Sequence, residues 1–136
     1  MNEGSEMTRL VPNLTALAAV FALAIPQAAS AAGDPAAGAK LFVQCRVCHS
    51  VGPADRNGLG PNLFGVVGSK AAARKGFVYS PALTKLGLVW TPAKLDAFLK
   101  KPSALVPGTR MAFAGVSADQ NRQDLIAYLA TLKAKR

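Results

Sequence analysis

Histidine occurs once in these 136 residues and cysteine twice, and acidic side chains number 7 against 16 Lys and Arg. These shortages exclude several chemistries. A structural zinc site needs four nitrogen or sulfur ligands, and Cys45, Cys48 and His49 are the whole supply. The most apolar stretch, Leu10 to Ile25, falls short of the ~20 residues that a bilayer crossing requires. Methionine is also scarce: after residue 32 only Met111 remains. No repeat, low-complexity tract or linker interrupts the chain beyond that point, so one domain is expected.

What is present begins with a leader pattern. Arg9 precedes the apolar stretch, and Pro26-Gln27-Ala28-Ala29-Ser30-Ala31-Ala32 follows it as a small-residue exit. Residues 1–32 therefore read as a cleaved secretory signal peptide, and residues 33–136 as the working domain of an exported, periplasmic protein. Loss of Arg9, Glu3 and Glu6 leaves 15 cations against 5 anions, a net +10. Such a surface expects an acidic partner, because complementary charge speeds encounter. Nucleic acid is not the expected partner. The cations Lys40, Arg46, Arg74-Lys75 and Lys100-Lys101 are scattered rather than massed on one element.

Helix punctuation is clear in three places. Asp34-Pro35 pairs an N-cap acid with proline at the first helical position, and the helix should run into Cys45. Thr91-Pro92 opens a second helix, with Leu95, Phe98 and Leu99 on one face, ended by Lys100, Lys101 and Pro102. Ser117-Ala118-Asp119-Gln120 has capping-box spacing before a third, whose stripe is Leu125, Tyr128, Leu129 and Leu132. Between Ser50 and Tyr79, six glycines and two prolines forbid regular structure, so a long loop is expected there, organised around something. Three or four helices, long loops and no convincing strands make an all-α reading.

"QCRVCHS" (residues 44–50) holds both thiols and the imidazole. A thioredoxin-like dithiol would use Cys45 and Cys48 alone and would need strands alternating with helices. In C-x-x-C-H, by contrast, both thiols add to the vinyl groups of one haem and the adjacent imidazole reaches one face of the iron. Met111, in "VPGTRMAFAG" (106–115), sits in a Pro-Gly turn rather than on an apolar helical face. That position suits an axial ligand on the opposite face, and thioether ligation raises the potential.

Taken together, "CRVCH", "GLGPNL" (58–63), "GFVYS" (76–80), Trp90, "VPGTRMAFAG" and "RQDLIAYL" (122–129) resemble a class I cytochrome c of the mitochondrial and bacterial c2-like type, from about Gly33 to Leu132. The resemblance implies an all-α, class I cytochrome c fold of three to four helices and long loops wrapped around one haem c, attached through Cys45 and Cys48, with His49 and Met111 as iron ligands. It implies that the Pro61 carbonyl holds the His49 ring, that Tyr79 and Trp90 donate to the haem propionates, that Thr109 sits beside that edge and that Phe113 covers the haem edge. Gly38 and Phe42 would cross Leu125 and Tyr128. Ser69, Leu83 and Phe98 depart from the mitochondrial pattern, each removing a polar group, and Arg74 or Lys75 is a candidate replacement for the cation missing at Ser69.

The function implied is that of a monomeric periplasmic carrier of one electron, not an enzyme. Lys40, Arg46, Lys100 and Arg110 would meet acidic docking faces on a bc1 complex, terminal oxidase, photosynthetic reaction centre or periplasmic dehydrogenase. The rival reading is a haem enzyme or gas-binding protein with a labile Met111.

Overall fold

The computed structural model describes residues 32–133. The expected leader, apart from Ala32, lies outside the described residues, as do the last three residues. Five helices follow in order: α1 (Pro35–Leu41), α2 (Pro81–Leu86), α3 (Pro92–Lys100), α4 (Pro102–Leu105) and α5 (Asp119–Thr131). Among the described residues there is no strand, only an isolated bridge between Lys70 and Val89.

Three of the four proline-led starts share one mechanism. Asp34 accepts from the Ala36 amide, Ser80 from Leu83 and Thr91 from Lys94, in each case with proline just inside the helix. The Ser80-Pro81 start of α2 had not been expected from the sequence. Helix α1 is shorter than expected: it tightens into a 3-10 turn at Phe42–Gln44 and continues as turns through Cys48. Pro102 does end α3, since Lys101 before it is extended (φ −160°), but it also opens α4.

One expectation fails. The cap of α5 is Ala118, with no side-chain bond, rather than a Ser117–Gln120 box. Gln120 instead donates along the helix to Asp124 at 2.8 Å, while the Ser117 carbonyl accepts from Arg122 at 2.8 Å. The helix starts one residue later than that box requires, which leaves the Ser117 hydroxyl out of register with the first-turn amides.

Helices α1 and α5 cross where α1 has no side chain. A Cβ on Gly38 would run into the Asp124 carbonyl and lie 2.8 Å from the Tyr128 Cβ. That close approach stacks Phe42, 2 % exposed, against Tyr128 with ring centroids 5.2 Å apart. The Asp124 carboxylate ties the crossing further by accepting the Asp34 amide at 2.8 Å. The core continues through Leu125, Ile126 and Leu129 of α5 to Leu95, Phe98 and Leu99 of α3, while Tyr128 and Leu132 of the expected stripe are half-buried against it.

The long loop is organised by buried Asn62. Its amide donates to the carbonyls of Gly52 and Asp55, and its oxygen accepts the Phe64 amide. Asn57 accepts the Asn62 amide and donates to the Lys75 carbonyl, joining the two halves of the loop. Ser69 and Gly68 pair with the Trp90 backbone at 2.8 and 2.9 Å, which fixes that indole at the start of α3.

Candidate functional site

Local backbone bonding assembles the Cys-Cys-His turn. The Cys48 and His49 amides both donate to the Cys45 carbonyl, at 3.1 and 2.9 Å, so the three side chains follow one helical turn. Both thiols are free and half-buried. Burial, then the neighbouring Cys48 charge, pushes the Cys45 thiol up. A reactive dithiol needs the opposite shift, which disfavours thioredoxin-like chemistry. Among the described residues, no group of three or more His, Cys, Asp and Glu is placed to hold a metal ion.

His49 is held from behind. Its Nδ1 lies 2.7 Å from the Pro61 carbonyl, as expected. A carbonyl only accepts, so Nδ1 carries the proton and the Nε2 lone pair is left unspent. Burial lowers the ring's proton affinity, partly opposed by the Pro61 carbonyl, so the imidazole is neutral near pH 7, as a metal ligand must be. The loop that brings Pro61 is itself bonded to the turn, with the Gly60 amide on the Cys48 carbonyl at 2.9 Å. A Cβ at Gly60 would sit 2.7 Å from Nδ1, so only glycine leaves the ring this seat. The sequence held Gly60 inside "GLGPNL" without indicating this role.

Met111 lies on the segment between α4 and α5, half-buried against the core. Its amide donates to Thr109 Oγ at 3.2 Å, and the Phe113 amide donates to the Met111 carbonyl at 3.0 Å. Thr109, Met111 and Phe113 thus form one short bonded unit. Tyr79 packs edge-on against Phe77, and its hydroxyl accepts the Arg74 amide at 3.3 Å, which leaves the phenol proton free to donate. Burial raises the Tyr79 proton affinity, with the Arg74 amide and charge pulling the other way. Trp90 is 7 % exposed and tilts against Phe98, and its indole N–H finds no acceptor among the described residues. No hydrogen bond among the described residues joins Tyr79, Trp90 and Thr109 to one another.

The departures also have places. Ser69 spends its hydroxyl on the Val66 carbonyl, Leu83 is half-buried on α2, and Phe98 is buried beneath Trp90. Arg74 points its guanidinium at the Asp55 carbonyl, 3.4 Å away. It lines an open groove of about 600 Å³ with Arg56 and Lys75, whereas a second groove, about 510 Å³, has Cys48 and His49 in its wall. Sequence reasoning missed Arg122, which is 3 % exposed and bonded to Asp96, Asp119 and two carbonyls. The charge in "RQDLIAYL" was visible, but its partner on α3, Asp96, lies 26 residues away.

Two thiols and a neutral, rear-anchored imidazole on one turn, inside an all-helical shell with half-buried apolar walls, define a protein built to hold one haem covalently. The chain belongs to the cytochrome c family: residues 35–133 match the family described as Cytochrome c. It is a class I cytochrome c of the bacterial c2-like kind, and its cofactor is one haem c attached through Cys45 and Cys48. It is 51 % identical over 110 residues to cytochrome c2 of Rhodomicrobium vannielii, covering 81 % of this chain and 88 % of that one. With cytochrome c-554 of Methylosinus trichosporium it shares 42 % identity over 123 residues, covering 90 % and 93 %. The solved structure of cytochrome cH from Methylobacterium extorquens superposes with a TM-score of 0.70 at 47 % identity, covering 73 % of this chain and 99 % of that one. Among the described residues no helix is long and apolar enough to cross a membrane.

Proposed function

We propose that this chain is an exported, periplasmic carrier of single electrons with His49 and Met111 as the two axial ligands. The observation that carries this reading is the His49–Pro61 bond, which spends Nδ1 and leaves Nε2 as the ring's one unspent nitrogen. When bound, haem c supplies the exchange of one electron. The polypeptide does the rest.

Cys45 and Cys48 would hold the haem covalently, and His49, buttressed by Pro61 and Gly60, would offer Nε2 to its iron. Met111 ligates from the segment stiffened by Thr109. With His49 and Met111 both committed to the iron, the protein would leave no position there for a substrate, which fits a carrier rather than an enzyme. Tyr79 and Trp90 have free donors for the propionates, Thr109 lies beside that edge, and Phe113 covers the docking edge. The exposed cations Lys40, Arg46, Lys100 and Arg110 meet acidic docking faces on a bc1 complex, terminal oxidase, photosynthetic reaction centre or periplasmic dehydrogenase. The carrier works as a monomer, in weak and fast complexes.

The test is spectroscopic. The oxidised holoprotein should show the weak long-wavelength band of sulfur-to-iron charge transfer, and Met111→Ala should abolish it. A native protein that lacks the band and takes up carbon monoxide rapidly is instead a gas-binding protein or haem enzyme, for which Phe98, without a hydroxyl to offer the sulfur, would be the first residue to examine.

A further inference from the structure

We propose that Asp96 and Arg122 are positioning residues for Met111: the ion pair they form clamps the downstream end of the segment that carries it. The proposal rests on the reading that the Met111 sulfur is an axial ligand.

The segment is fastened at its two ends and little between. Upstream, the Val106 amide bonds the Pro102 carbonyl at 2.9 Å and the Thr109 amide bonds the Val106 carbonyl at 3.0 Å. From Arg110 to Gly115, among the described residues, the backbone bonds are local: Met111 to Thr109 Oγ and Phe113 to Met111. The segment is fastened again at Val116 and Ser117. The Val116 amide donates to the Leu99 carbonyl at 2.8 Å, and Arg122 Nη1 donates to the carbonyls of Val116 and Ser117 at 2.9 and 2.8 Å. Gly115 permits this fastening, since a Cβ there would collide with the Lys100 carbonyl.

The guanidinium is nearly sealed from water, and Asp96 on α3 sets its direction by accepting from Nε at 2.8 Å. Asp119 takes Nη2. A buried arginine spends its planar fork on fixed partners, so without the α3 carboxylate the fork is oriented only by the exposed Asp119 and holds Nη1 on the two successive carbonyls less firmly. The six residues from Met111 to Val116 would then keep only the Val116–Leu99 backbone bond as their downstream tie. A ligand atom held less firmly from one side escapes more often, even where the rest of the fold is intact. The pair therefore governs how long the sulfur stays in place, without touching the site itself.

The experiment compares the oxidised holoproteins of wild type, Asp96→Asn, Arg122→Lys and Asp124→Asn. Asp124→Asn loosens the α1–α5 crossing instead and serves as a stability control. Imidazole is the probe, because it captures the metal only when the sulfur has left. The rate of capture and the global denaturation midpoint are measured on each.

The expected result is capture about tenfold or more faster in Asp96→Asn, the factor for losing one charge-assisted bond, with a midpoint shift no larger than that of Asp124→Asn. Should Arg122→Lys fail to fold, Asp96→Asn decides alone. Capture rates that follow global stability along one line through all the variants, the control included, overturn the clamp. Met111→Ala separates the clamp from the reading beneath it: a long-wavelength band that survives that substitution overturns the ligation, and the clamp with it. Loss of the band there, with unchanged capture in Asp96→Asn, overturns the clamp alone.

Discussion

His49 Nδ1 lies 2.7 Å from the carbonyl of Pro61, twelve residues along the chain, and Gly60 fills the space directly against the ring. The bond and the glycine are one device, because the carbonyl can reach the ring only if the residue before it has no side chain. Gly60→Ala forces either the ring or the loop to move. Overpacking of this kind costs about 1–3 kcal/mol. Gly60→Ala should therefore lower the denaturation midpoint of the holoprotein and also shift its visible absorption, since the displaced group is the ring itself. An unchanged spectrum would mean that the loop moved and the imidazole did not.

Ala72 is the one non-glycine residue with positive φ, at +59°, among the described residues. Left-handed backbone costs an L-residue about 1–2 kcal/mol, and glycine escapes that cost while losing about 0.4–1 kcal/mol of chain entropy. Ala72→Gly should therefore stabilise the protein by about 0.5–1 kcal/mol, read as a higher denaturation midpoint with an unchanged slope. A lower midpoint would show that the Ala71-Ala72-Ala73 loop relaxes at little cost in the wild type.

Hydrogen bonding from Arg122, and then its charge, holds the exposed Asp119 carboxyl below the usual carboxylate range. A group depressed on folding contributes stability that is complete above its unfolded value, near pH 4, and is lost as pH falls through the folded value. Asp119→Asn should flatten the acid limb of the stability–pH profile below about pH 4 and leave the slope near neutrality unchanged. Parallel profiles for variant and wild type would show that the pair is screened to nothing by solvent.

How much of this was legible in the sequence depended on range. Asp34-Pro35 and Thr91-Pro92 announced their helices because cap and proline act within four residues. Ser80-Pro81 carries the same signal, but α2 lasts only six residues at the edge of a glycine-rich loop, too short for periodicity to register. Gly38, Phe42, Leu125 and Tyr128 meet as expected, since a glycine on an apolar face leaves room for a neighbouring helix. The Cys-Cys-His turn and the His49–Pro61 contact were legible because the spacing and the resemblance agreed. Ser117 misled, because the capping spacing is equally present in sequence whether the helix starts after Ser117 or, as it does, after Ala118. Asp96 and Arg122 stand 26 residues apart on different helices, and that pairing follows from tertiary packing, which leaves no periodic trace.

Partner encounter is where the charge of the chain is expected to tell. Arg46 and Lys100 are exposed, and among the described residues neither is in an ion pair, so their fields are available to an acidic face. Arg46 adjoins Val47, 77 % exposed, which offers an apolar contact inside the cationic surround. If these cations steer docking, Arg46→Glu and Lys100→Glu should each slow reduction by an acidic redox partner about three- to tenfold at low salt, while Lys94→Glu, on the first turn of α3, should do less. The differences should shrink as ionic strength rises and the Debye length falls to about 8 Å. Association rates that are flat in salt, and equal for all three reversals, would leave the basic surface with solubility as its only role, and the acidic-partner reading would have to be abandoned even though the haem site stood.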